Sequence, residues 1–190
     1  LQKVGKTNMD ASADSTFISQ KNCYFLTGFM GSGKSHWGKI WAAGNQLSFL
    51  DLDEVIEAGE GATIAAIFET KGEDYFRNIE AAALRSCAGL ENTIIACGGG
   101  TPCFHDNMRW MNAHGTTIYI ACTSEEILDR VFLEKEKRPL LKKLSKAELL
   151  FFIEQKVKER ESFYTKARYT VQSGVLTQYS FPEIISTILS

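Results

Sequence analysis

The chain has 190 residues, 44% of them hydrophobic and 11% aromatic, which suits one α/β domain and excludes disorder as the main state. No run approaches the roughly 20 apolar residues of a membrane span. Lys and Arg number 21 against 23 Asp and Glu, a net charge of −2, which excludes a generally nucleic-acid-binding surface but allows a local basic pocket.

Residues 1–21 are polar and carry no apolar signal region. They are expected to be a flexible extension ahead of a single domain at 22–190. A strand is predicted at 23–27, ending at Gly28, and a helix at 34–43. Between them stands Gly28-Phe29-Met30-Gly31-Ser32-Gly33-Lys34-Ser35, which fits G-x-x-x-x-G-K-[ST] at every fixed position. In that context Gly31, Ser32 and Gly33 turn backbone N–H groups toward phosphate oxygens, and the helix N-terminus adds partial positive charge. Lys34 can reach the β- and γ-phosphates and the Ser35 hydroxyl can ligate Mg²⁺. His36 follows and joins the nucleotide-binding set, either as a ligand or as an exposed helix residue. A guanine-specifying N-K-x-D motif is absent, which argues against a GTPase, and the size of the chain favours a small-molecule phosphotransferase over a motor ATPase.

The next strand is predicted at 47–52, with Asp51-Leu52-Asp53 at its end. Residues i and i+2 of a strand share a face, so both carboxylates should aim one way, for a metal water and a substrate hydroxyl. The alternative is that Asp53 caps a helix. Helices are predicted at 63–69 and 73–90. On the second, Arg77 and Glu80 share a face, either as a surface ion pair or as part of a carboxylate clamp. A strand at 93–97 runs into Gly98-Gly99-Gly100-Thr101-Pro102, where glycines admit close backbone approach by a ligand.

Further on come a helix at 106–113, a strand at 116–121 and a helix at 124–135 opened by Ser124. Glu134 to Arg138 is a charged interruption before Pro139-Leu140-Leu141. It reads as a solvated loop, or as a lid that brings Arg138 onto the phosphates and excludes water. A helix at 145–163 starts with the capping box Ser145-Lys146-Ala147-Glu148 and ends near Arg160 and Tyr164, which are i, i+4. A short strand at 169–172 and a helix at 181–189 close the chain. The five cysteines are an odd number without a C-x-x-C pair, which favours reduced, buried thiols in a cytoplasmic protein over a zinc site. The β-α alternation implies parallel strands with right-handed crossovers.

Taken in order, G-F-M-G-S-G-K-S, D-L-D, F-R-x-x-E, G-G-G, R-P-L-L and R-x-x-x-Y make the chain resemble the shikimate kinases over about residues 22–190. The resemblance implies a three-layer P-loop kinase fold, a five-stranded parallel sheet of order 2-3-1-4-5 and a lid at about 134–146. It implies transfer of the ATP γ-phosphoryl group to the 3-hydroxyl of shikimate, in the chorismate route to aromatic amino acids, with ATP and Mg²⁺. By motif, Gly31, Ser32, Gly33, Lys34, Ser35, His36 and Arg138 would serve the nucleotide, and Ser35 and Asp51 the metal. Asp53, Arg77, Glu80, Gly99, Gly100 and Arg160 would bind shikimate, and Lys34, Asp53 and Arg138 would act in catalysis. A monomer acting on a small molecule is expected, with no nucleic acid or membrane partner. His36 departs from the family's usual threonine, Trp41 replaces a smaller aliphatic residue and should be core, and no arginine near 172–180 marks an adenine loop. A gluconate or nucleotide kinase and a non-catalytic nucleotide-binding module are the rival readings.

Overall fold

Each central strand alternates its side chains between two faces, and both faces are buried. β1 (Cys23–Thr27) sends Phe25 one way with Ile95, and Tyr24 and Leu26 the other way with Ile94 and Ile118. A computed structural model describes residues 23–133, 141 and 144–189. The expected extension at 1–21, Arg138 and most of the expected lid lie outside the described residues.

The other strands are β2 (Ser48–Asp51), β3 (Thr93–Ala96), β4 (Thr116–Ala121) and β5 (Tyr169–Gln172). They form one sheet of order β2-β3-β1-β4-β5, and every neighbouring pair is parallel. The expected order and class are therefore met. α2 (Leu52–Glu60), α3 (Ile64–Ser86) and α4 (Asn107–His114) supply the layer around Phe25, Ile56, Leu84 and Met111. α1 (Lys34–Gly44) and α7 (Ser180–Leu189) cover the opposite face around Trp41 and Phe181. α5 (Ser124–Leu133) and α6 (Lys146–Tyr164) enclose a third cluster around Leu149, Ile153 and Tyr164. Trp41 is fully buried, as its position predicts, and its Nε1 donates to the Thr177 carbonyl at 2.9 Å.

Two local expectations change, at α2 and at the cap of α5. A helix after the acidic pair, the alternative reading, forms as α2: the second strand stops at Asp51, and Leu52 and Ile56, one helical turn apart, turn into the core. The two helices predicted on either side of residue 72 do occur, as the arms of α3, which breaks at Gly72 with φ 80°. The cap of α5 is Thr123 rather than Ser124: its Oγ1 accepts from Glu126 N–H at 3.2 Å, and Glu126 Oε2 accepts from Thr123 N–H at 2.9 Å. The box at Ser145 forms as read.

Because all five strands run the same way, the ends of β1, β2 and β3 open on one edge. In open α/β sheets that is where ligands bind.

Candidate active site

The phosphate loop is the turn that β1 makes into α1. Gly33 caps α1 with φ 93°, a left-handed conformation that side chains rarely adopt. The first turn of α1 carries no acid, so its N-terminal N–H groups face the loop without a competing carboxylate. Lys34 is buried. Its Nζ donates to the carbonyls of Gly28 and Phe29, both at 2.9 Å, and lies 3.5 Å from Ser32 Oγ. Burial pushes its pKa down to about 8, against the opposing pull of the Asp53 carboxylate.

Asp51 caps α2, with Oδ1 accepting from Asp53 N–H at 3.1 Å, while Oδ2 accepts from the Ser35 hydroxyl at 2.5 Å. The acidic pair therefore does not share the one strand face that its spacing predicts. Asp53 sits in the first turn of α2, not on the strand, and Asp51 is the capping residue. The two carboxylates still meet. Burial and the Asp51 charge push the Asp53 pKa up to about 6, and Lys34 limits the rise.

The wall beside the acidic pair is built from α3 and the glycine turn. Arg77 is 7% exposed and Glu80 fully buried. Arg77 Nη1 donates to Glu80 Oε2 at 2.8 Å, and its Nε and Nη2 donate to Glu73 Oε1 at 3.2 and 3.0 Å. The guanidinium also lies 4.2 Å from the Phe104 ring centre. Glu80 Oε1 accepts from Thr101 Oγ1 at 2.6 Å, so both carboxylate oxygens are engaged. A Cβ on Gly98 would lie 2.9 Å from Glu80 Oε1 and 3.0 Å from Asp53 Oδ1, which places the Glu80 and Asp53 carboxylates about one residue. A Cβ on Gly100 would lie 2.6 Å from Arg77 Nη1, so glycine is what lets the backbone reach the guanidinium. Tyr164 OH donates to the Gly99 carbonyl at 2.5 Å, and Arg160 lies 5.5 Å from the Phe29 ring centre.

The arrangement thus gathers Ser35, Asp51, Asp53, Arg77, Glu80, the glycine turn and Arg160 about the phosphate loop. His36 is exposed, with its ring edge-on to Trp37 at 5.0 Å. Three contributors escaped the motif reading, and a fourth was read without its role. Thr101 fixes Glu80, and Tyr164, already visible in R-x-x-x-Y, holds Gly99. Trp37 packs against the phosphate loop, 3.2 Å from where a Gly33 Cβ would stand. Arg130 donates to the Gly31 carbonyl and to Ser173 Oγ, both at 3.1 Å, and no local pattern marks it.

A nucleotide loop that shares one sheet edge with an acidic pair and a buried arginine, all within one domain, is the layout of a P-loop small-molecule kinase. The shikimate kinase family model matches residues 30–189. The chain is 42% identical over 166 residues to the shikimate kinase of Parabacteroides distasonis, covering 87% of this chain and 96% of that one. Its fold superposes on the crystal structure of shikimate kinase from Bacteroides thetaiotaomicron with a TM-score of 0.81 and 34% identity, covering 89% and 97% of the two chains. The Acinetobacter baumannii shikimate kinase, solved in complex with shikimate, gives a TM-score of 0.74 and 32% identity over 91% and 93%. The chain belongs to the shikimate kinase family.

Proposed function

We propose that this chain transfers the ATP γ-phosphoryl group to the 3-hydroxyl of shikimate, giving shikimate 3-phosphate and ADP on the chorismate route. The observation that carries the reading is the buried Arg77–Glu80–Thr101 unit, pressed against Gly100 beside the phosphate loop. A planar guanidinium held flat by two carboxylates and an aromatic ring is prepared to bind a carboxylate substrate. Arg160 binds the same group from α6, while Gly99 and Gly100 bring backbone against the substrate. Glu80 orients Arg77.

Phosphoryl transfer depends on in-line positioning and charge neutralisation more than on a strong base. Asp53 therefore positions the attacking hydroxyl first and takes its proton second. Gly31, Ser32, Gly33 and Ser35 cradle the phosphates, with His36 at the helix N-terminus beside them. Lys34 exchanges the carbonyls of Gly28 and Phe29 for phosphate oxygens when ATP arrives. Ser35 and Asp51 offer a hydroxyl and a carboxylate oxygen 2.5 Å apart, the hard donors Mg²⁺ prefers. Ser35 would ligate the ion and Asp51 hold one of its waters. Bound there, Mg²⁺ supplies charge neutralisation at the β- and γ-phosphates. Arg138 lies outside the described residues and keeps its phosphate role by motif alone. A monomeric cytoplasmic enzyme completes the reading; the five free thiols support a reducing compartment.

The test is ADP release with shikimate, gluconate and a nucleoside monophosphate, with the phosphate position read by NMR. Turnover on gluconate without shikimate turnover overturns the acceptor. ATP binding without shikimate-stimulated turnover favours the non-catalytic module. Two site-level results are expected alongside. Gly100→Ala should raise the shikimate KM about tenfold with little change in the ATP KM, because the new methyl displaces the guanidinium tip. Wild-type KM in that variant contradicts the wall. ATP binding should change tryptophan emission, and Trp37→Phe should remove most of that change, since Trp110 is remote and Trp41 lies behind Trp37. A full response in Trp37→Phe contradicts the placement.

A further inference from the structure

We propose that the cavity between the glycine turn, α4 and the end of α6 is a second ligand site, suited to a small ring-bearing carboxylate and coupled to the acceptor pocket. The cavity holds about 450 Å³, within the range of small-molecule sites. Pro102, Cys103, Met108 and Phe163 give it an apolar part, and the charged Asp106, Arg109 and Lys166 share the lining. None of Asp53, Arg77, Glu80, Gly99 or Arg160 lines it.

The charges select the ligand class. Of the two cations at the cavity, Arg109 is engaged by Asp106 at 3.5 Å. Lys166 pairs with no carboxylate among the described residues; its ammonium lies 5.0 Å from the Phe163 ring centre. The Asn112 side chain is already occupied, donating to the Lys166 carbonyl at 2.9 Å and accepting from Thr117 Oγ1 at 2.5 Å. A flat ring on Met108 and Phe163 with its carboxylate on Lys166 satisfies both kinds of wall.

The coupling runs through four residues. Cys103 N–H donates to the Gly100 carbonyl at 2.9 Å, closing the turn Thr101–Cys103. Gly100 abuts Arg77 and Thr101 holds Glu80, so one side of this turn is acceptor wall. Pro102 and Cys103 form the cavity wall on its other side. Cys103 is half-buried, lines the cavity, and feels the charges of Arg160 and Arg77. An occupant that presses on Cys103 shifts Gly100 against the guanidinium and weakens acceptor binding.

The experiment uses the full chain and benzoate as the probe. Calorimetry should show one benzoate site that persists in saturating shikimate. Benzoate should raise the shikimate KM at least threefold, to a plateau. It should also slow iodoacetamide alkylation of Cys103, read by mass spectrometry, about fivefold or more. Lys166→Glu should weaken benzoate at least tenfold and abolish that protection, with kcat and KM unchanged when benzoate is absent. Benzoate that competes fully with shikimate and binds Lys166→Glu as tightly as wild type overturns the proposal, since it then occupies the acceptor pocket. No saturable binding at millimolar concentration overturns it as well. The KM effect rests on the acceptor assigned above, whereas calorimetry and alkylation do not, so the two readings fail separately.

Discussion

Arg77→Ala is expected to raise the shikimate KM about 100-fold or more while changing the ATP KM less than threefold. Each charge-assisted hydrogen bond is worth about 1.5–3 kcal/mol, and a two-pronged clamp loses two of them. The same substitution should lower the melting temperature. Glu80 is fully buried, and its Oε2 would be left facing the space of the guanidinium. Removing one partner of a buried pair costs about 3–5 kcal/mol, or roughly 6–20 °C for a domain of this size. Arg77→Lys separates the two effects, because an ammonium answers the Glu80 charge but has no fork for a carboxylate. It should regain most of the melting temperature and little of the KM. Equal losses of affinity for ATP and shikimate would contradict the assignment.

Asp53→Asn should lower kcat about 100- to 1,000-fold and yet make the ligand-free protein more stable at pH 7. The folded carboxyl, with its pKa raised from 3.8 to about 6, holds its proton better than the unfolded chain does. Its ionisation therefore costs stability as pH rises from about 4 to about 6, and that cost is fully present at pH 7. Asparagine removes it, for a gain of about 1–2 kcal/mol after allowing for partial solvent access. In the wild type, kcat/KM for shikimate should fall as pH drops below about 6. The lowered Lys34 pKa, about 8, predicts loss of kcat/KM for ATP as pH rises above it. Bound phosphates keep the ammonium charged, so kcat should hold over the same range. Unchanged kcat in Asp53→Asn, or no acid limb in the wild type, would remove Asp53 from the reaction.

What could be read from the residues and what could not divides along sequence distance. The strands were legible because short continuous apolar runs such as the one around Ile94 and Ile95, bounded by turn residues, suit strands buried on both faces. The phosphate loop was legible because its chemistry is local. α2 was legible only as an alternative because Leu52 extends the apolar run of β2, and only the Asp51 cap stops the strand. The acceptor wall was half visible: Arg77 and Glu80 share a turn, but Gly100 and Thr101 reach them across more than 20 residues of chain. Tyr164 on Gly99 and Arg130 on Gly31 span 65 and 99 residues, and no spacing rule covers such pairs. Cys103 and Cys122 are only half-buried, against the expectation of buried thiols: Cys103 lies in the turn Thr101–Cys103 and Cys122 directly after β4.

The hold of Lys34 on its own loop bears on how the nucleotide leaves. On the phosphate role proposed for Lys34, its ammonium returns to the carbonyls of Gly28 and Phe29, 2.9 Å away, when ADP departs. Departure then strands no bare cation inside the protein, and the barrier to product escape is lower than a buried lysine alone would set. Nucleotide affinity becomes an exchange between two sets of oxygens, so the enzyme can turn over without grasping either nucleotide tightly.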